Sequence, residues 1–261
     1  MPTLAANLSL LFADAPLLAR FARARAAGFH HVELQFPYAE PPAAMADALA
    51  ASGLSLVLFN LPAGDWASGE RGLPADPARV AEFRAGVGRA IELAERLGVT
   101  RLNCLAGNRG HGLSAEEQRL TLLENLHFAA GRLAQHGLTL LVEPLNRHDH
   151  PDYLLSSSRA ALDVIDAVGA ANLKLQYDVY HMQRGEGELA ATIAAHLGQI
   201  GHIQIADTPG RHEPGSGEIN YRFLLPYLDQ IGYAGYVGAE YLPAGRTEDG
   251  LGWVAEHGLR L

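Results

Sequence analysis

The stretch Leu138–Arg147, LTLLVEPLNR, decides the fold. An apolar run enters a glutamate, and Pro144 ends it. Apolar residues at consecutive positions read as a strand buried on both faces, as in a parallel sheet. Glu143 then stands where the strand gives way to a loop. A carboxylate is costly at a buried strand end unless something there needs its charge. Three later runs end alike: LKLQYD at Asp178, HIQI at Gln204 and YVGAE at Glu240. This pattern predicts that the four side chains converge on one metal ion.

Working outward, short apolar runs alternate with longer amphipathic ones. Strands are expected over 4–10, 31–34, 54–60, 101–107, the Glu143 run, 173–178, 202–207 and 236–240. Helices are expected between them. Asp14 caps the first, which runs to Ala27. Pro41 and Pro42 open the second, which stops at Gly53. Asp76 and Pro77 start a long one that ends before Gly98. Ser114 and Glu117 form a capping box for a helix to His136. Further helices are expected from the cluster 156–158, over 186–197, over 221–230 and over 253–257. Strict alternation implies a parallel sheet with right-handed crossovers. Eight repeats in 261 residues fit an α/β fold with a single (β/α)8 TIM barrel filling 1–261. An open doubly wound sheet ranks second, because no GxGxxG follows the first strand.

The formal charge of −9 and the absence of a basic patch weigh against nucleic acid as the main partner. A single cysteine, Cys104, rules out a disulfide within the chain and suits a reducing compartment. In a strand it reads as packing rather than as a nucleophile. No signal-peptide pattern opens the sequence, and no apolar run approaches the roughly 20 residues of a membrane span. A cytoplasmic enzyme without a membrane partner is expected. Helix faces rich in Ala and Leu allow a homodimer.

Catalytic groups of a closed barrel lie at the C-terminal ends of its strands. Glu143, Asp178, Gln204 and Glu240 hold such ends on the last four strands. Any one of them alone could cap a helix, pair with an arginine or satisfy a loop carbonyl. Together, like charges repel unless a cation offsets them. An oxygen-only set favours Mg²⁺ or Mn²⁺ over zinc. His181, three residues past Asp178, is expected to contact substrate. Arg211, in the loop after the seventh strand, and Arg71, in the long Gly- and Pro-rich loop after the third, suit an anionic substrate. Glu218 is expected to hold Arg211 in place.

The motifs VEPLN, QYDVYHMQ, HIQIADTPGRHEPGSGEINY, GYVGAEY and FNLPAGDWASGERG resemble the hydroxypyruvate isomerase family, within the xylose-isomerase-like barrels. The resemblance extends over essentially the whole chain. It implies that Glu143 and Glu240 are paired proton donors and acceptors, and that Glu143, Asp178, Gln204 and Glu240 hold the divalent metal. It also implies a small hydroxy-oxo acid as substrate. Hydroxypyruvate would exchange with 2-hydroxy-3-oxopropanoate through a metal-stabilised enediolate. His181 and Arg211 match substrate contacts of related ketose epimerases. Those epimerases usually carry histidine where this chain has Gln204, which disfavours a sugar epimerase. A 2-oxo-tetronate isomerase is the alternative within the family. An apurinic-site endonuclease-like hydrolase ranks lower, because its zinc centre is rich in histidine.

Overall fold

The computed structural model describes residues 2–110 and 112–261. Eight strands form a closed barrel in sequence order: β1 (Thr3–Asn7), β2 (His31–Glu33), β3 (Ser55–Asn60), β4 (Arg101–Cys104), β5 (Thr139–Val142), β6 (Leu173–Asp178), β7 (Ile200–Ile205) and β8 (Tyr236–Ala239). Each pairs in parallel with the next, and β8 returns to β1 with Leu4 opposite Val237 and Ala6 opposite Ala239. Around the barrel lie α1 (Leu17–Ala26), α2 (Pro42–Ser52), α3 (Val80–Leu97), α4 (Ala115–Ala134), α5 (Ser158–Val168), α6 (Val179–Gly185), α7 (Leu189–Ala195), α8 (Tyr221–Gln230), α9 (Thr247–Gly250) and α10 (Gly252–Glu256). The expected alternation and closure are both present. Among the described residues no helix is long and apolar enough to cross a membrane.

Two apolar cores hold the strands. The larger fills the space between barrel and helices, with Phe21, Phe59, Phe83 and Leu133 fully or almost fully buried. The smaller, made of Ala5, Val57, Leu58 and Leu141, lies apart from it. Gly201 makes room for Leu141, since a Cβ there would sit 2.6 Å from its Cδ2. The register slips by one residue beside Gly201, between Leu175 and Gln176 of β6, and again between Val32 and Glu33 of β2. Such bulges re-aim side chains near barrel rims.

Several boundaries differ from expectation for local reasons. β1 stops at Asn7, whose side-chain oxygen accepts from the Ser9 amide and turns the chain. Asp14 does not cap α1: its carboxylate meets Arg23 at 2.8 Å, and Pro16 takes the capping position. A short 3-10 turn, Pro77–Arg79, capped by Asp76, precedes α3. The helix expected over 186–197 is the shorter α7, and it is preceded by α6, which the sequence reading did not place; the two are parted near Gly187 at φ +72°. β7 ends two residues before Asp207, whose carboxylate accepts from the amides of Thr208, Gly215 and Ile219 and so organises the following loop.

Candidate active site

The strand ends deliver a set of buried polar groups. Glu143 follows β5 directly, and its Oε2 accepts 2.8 Å from Asn103 Nδ2 on β4. Asp178 is the last residue of β6 and caps α6, its Oδ1 accepting from the amides of Tyr180 and His181. Glu240 follows β8. Its Oε1 accepts from Asn7 Nδ2 and Gln35 Nε2, each at 2.9 Å, and its Oε2 from Arg211 Nη2 at 2.6 Å. The same Arg211 nitrogen lies 3.4 Å from Asp178 Oδ2. A cleft bounded by Gln35, Asn60, Trp66, Glu143, His150, Gln176, His181, Arg211 and Glu240 opens between these groups.

Burial governs the electrostatics. Desolvation holds the Glu143 carboxyl well above the usual carboxylate range, and the charges of Glu240 and Asp178 push it further. Asp178 is raised by burial against the opposing pull of Arg211 and two backbone amides. Glu240 is lifted to about 7, again chiefly by burial, with Arg211 opposing and Asp178 and Glu33 adding. His181 is driven well below its ordinary value by burial and by Arg211, so its ring is neutral. These are the shifts expected where ionisable groups are crowded for a task.

The structure brings Glu143, Asp178 and His181 together: one ligand atom of each lies within 4.8 Å of the others, and all three residues are buried, so the group could hold a metal ion. Glu240 joins them through Arg211. Gln204 stands in register with Asp178, but its amide is engaged by neighbours. Nε2 donates to Glu33 Oε1, and Oε1 accepts from Gln176 Nε2, both at 2.7 Å. Arg71 lies behind the cleft. Its guanidinium stacks 3.8 Å from the Trp66 ring, and its Nε donates to His150 Nδ1. Glu218 is exposed and does not hold Arg211, whose carboxylate partners are Asp178 and Glu240. Cys104 is packed and its thiol is pushed up by burial, as a core residue should be.

Sequence reasoning missed the polar layer that touches these groups. Glu33 on β2 is fully buried and accepts from Asn7 Nδ2, His202 Nε2 and Gln204 Nε2. Gly238 leaves it room, since a Cβ there would collide with its carboxylate. His150 was also missed. Burial and Arg71 bring its pKa to about 4. Glu33 ends a strand in HVEL just as Glu143 does in LLVE, so the same signal was present for it.

Comparison with known proteins agrees with this geometry. The family model described as "Xylose isomerase-like TIM barrel" matches residues 21–257. Hydroxypyruvate isomerase of Escherichia coli is 49% identical over 95% of this chain and 96% of its own length. A 2-oxo-tetronate isomerase of Cupriavidus necator is 46% identical over 97% and 98%. A crystal structure titled AP endonuclease, family 2, from Brucella melitensis superposes with a TM-score of 0.95 at 43% identity, covering 98% of this chain and 99% of that one. The chain belongs to the xylose isomerase-like TIM barrel family, alongside hydroxypyruvate and 2-oxo-tetronate isomerases, and is an isomerase.

Proposed function

We propose that the protein interconverts hydroxypyruvate and 2-hydroxy-3-oxopropanoate, with Glu143 and Glu240 moving the proton. One observation carries this reading: two buried glutamates, just past the ends of β5 and β8 in one barrel mouth, both raised, with Glu240 at about 7. A carboxyl that titrates near neutrality can take a proton and give it back. In the forward direction one glutamate takes the proton from C3 and the other delivers a proton to C2. The hydroxyl proton passes from O3 to O2, so the carbonyl moves from C2 to C3. The roles exchange in reverse. The whole chain, residues 1–261, acts as one catalytic domain in this scheme.

The donor set fits a divalent cation. Glu143, Asp178 and Glu240 crowd negative charge that, among the described residues, the Arg211 guanidinium offsets. Glu143, Asp178, Gln204 and Glu240 would hold the ion, and their oxygens suit Mg²⁺ or Mn²⁺. Glu33 binds the Gln204 NH2 and so turns its oxygen away from itself, toward Gln176, with one lone pair to spare. When bound, the cation supplies positive charge for the oxygens of the enediolate.

His181 is better suited to substrate than to metal. Its Nδ1 faces two N–H donors, the Asn146 side-chain amide at 2.7 Å and the Asn146 backbone amide at 3.3 Å. The Asn146 amide is itself oriented, because Asp149 accepts from its NH2 and donates to its oxygen. Nδ1 is therefore the acceptor, and the proton sits on Nε2, which then donates to a substrate oxygen rather than ligating a cation. Arg211 has a buried Nε without a partner and would grip the substrate carboxylate. Arg71 would add positive charge from behind Trp66. The partner is thus a small anionic hydroxy-oxo acid.

The relative at 46% identity supports a second reading, in which the substrate is a 2-oxo-tetronate. Kinetics on both acids in D2O with added Mg²⁺ test the proposal. We expect turnover of hydroxypyruvate with deuterium entering at C2 of the product. A kcat/KM at least ten-fold higher for the four-carbon acid would move the assignment to the second reading. No exchange on either acid would remove both.

A further inference from the structure

Gln176 is 1% exposed, borders the cleft, and has a side-chain oxygen with no hydrogen-bond partner. Its other amide atom is committed: Nε2 donates to Gln204 Oε1 at 2.7 Å. Which end of a glutamine faces a cavity is normally ambiguous from shape alone. Here the chain of partners fixes it. As a carboxylate Glu33 can only accept, so Gln204 must present its NH2 to it, at 2.7 Å. Gln204 then shows its oxygen to Gln176, and Gln176 must answer with its own NH2. The oxygen of Gln176 is what remains. A buried acceptor left open is costly unless something donates to it.

We infer that Gln176 is a specificity-determining residue whose Oε1 accepts a hydroxyl of the bound substrate, and that Glu33 sets its polarity through Gln204. An acceptor recognises O–H and repels a bare carbonyl or carboxylate oxygen. The site thereby favours a hydroxy acid over the acid lacking that hydroxyl, and it holds the hydroxyl oxygen by its proton. This rests on the isomerase reading above, since it takes the hydroxy-oxo acid as the ligand of the same cleft. A site built to pair a hydroxyl discriminates strongly against the analogue without it.

The test uses two unreactive acids, tartronate and malonate, which differ by one hydroxyl. Their Kd values are measured by calorimetry on the Mg²⁺-loaded protein. Wild type should prefer tartronate. Gln176→Met should lower that preference about ten-fold, the effect of losing one buried hydrogen bond, and raise KM for hydroxypyruvate by a similar factor. Equal affinity for the two acids in wild type, or an unchanged ratio in Gln176→Met, overturns the inference while wild-type turnover keeps the isomerase reading standing. A wild type that turns over neither hydroxypyruvate nor a 2-oxo-tetronate overturns that reading and this inference with it. If a thermal melt shows Gln176→Met unfolded, Gln176→Asn decides, because it keeps the amide and withdraws it by one methylene. A lowered ratio there supports the hydroxyl contact, and an unchanged ratio overturns it.

Discussion

Glu143 and Glu240 are alike in chemistry and different in setting. Glu143 takes one side-chain hydrogen bond, from Asn103, whereas Glu240 takes three, from Asn7, Gln35 and Arg211. More donors favour the charged form, and around Glu240 the Arg211 charge and the Gln35 hydrogen bond oppose the upward push of burial, as Arg211 and Asn103 do at Glu143. Replacing either with glutamine keeps volume and removes the proton-carrying group. Glu143→Gln and Glu240→Gln should each lower kcat by at least 10²-fold, on the order expected for a lost general acid or base. Circular dichroism spectra should stay unchanged. Near-normal turnover in either variant would end the two-glutamate scheme. At this scale the sequence was informative wherever a charged residue closed an apolar run: Glu143, Asp178 and Glu240 stood out on that ground alone. Glu33 carried the same signal and went unread. Gln176 and Asn103 were silent, since an amide inside a strand is chemically unremarkable until its partners, 28 and 40 residues away, are known.

At the level of elements, α6 ties the candidate metal site to secondary structure. Asp178 ends β6, caps α6 through Oδ1 and turns Oδ2 toward Arg211 and His181. The cap and the charge can be separated by substitution. Asp178→Asn retains a capping oxygen, so its Tm without metal should match or exceed wild type as repulsion is relieved. Asp178→Ala loses the cap as well, a cost of about 1 kcal/mol. Both should bind Mn²⁺ at least ten-fold more weakly by calorimetry. Tight Mn²⁺ binding by Asp178→Asn would exclude this carboxylate as a ligand. Helices α2, α4, α5 and α8 were legible to within a few residues because prolines, glycines and Ser/Thr/Asn caps mark their ends. The start of α6 was not, because an aspartate at a strand end reads equally as ligand or cap, and here it is placed to be both.

For the molecule as a whole, the cluster is a stored electrostatic cost that a bound cation would relieve. Glu240 is raised from its ordinary 4.5 to about 7 in the folded protein. Between those values the folded state binds more protons than the unfolded one, so stability falls as pH rises. One such group accounts for on the order of 3 kcal/mol across the window. The metal-free protein should therefore melt at a lower temperature at pH 8 than at pH 5. Saturating Mg²⁺ should raise the melting temperature chiefly at the higher pH, and chelation should abolish turnover. A flat Tm between pH 5 and 8 in the chelated protein would contradict the crowded-carboxylate picture. The barrel itself was legible from alternation, because a parallel sheet buries both faces and leaves continuous apolar runs. What alternation does not encode is which inward groups touch across the ring.

One such contact has a temporal consequence. Asn7 and Glu240 are 233 residues apart, yet a single amide of Asn7 serves both Glu33 and Glu240. The first strand made on the ribosome thus waits for the last before its Asn7 amide has both of its acceptors. Until β8 docks on β1, a nascent chain has seven strands, an open seam and only one of the two glutamates proposed to move the proton. On the proposed two-glutamate scheme, the order of synthesis excludes premature chemistry on a half-made enzyme, and the appearance of turnover during refolding becomes a clock for the closing of the seam.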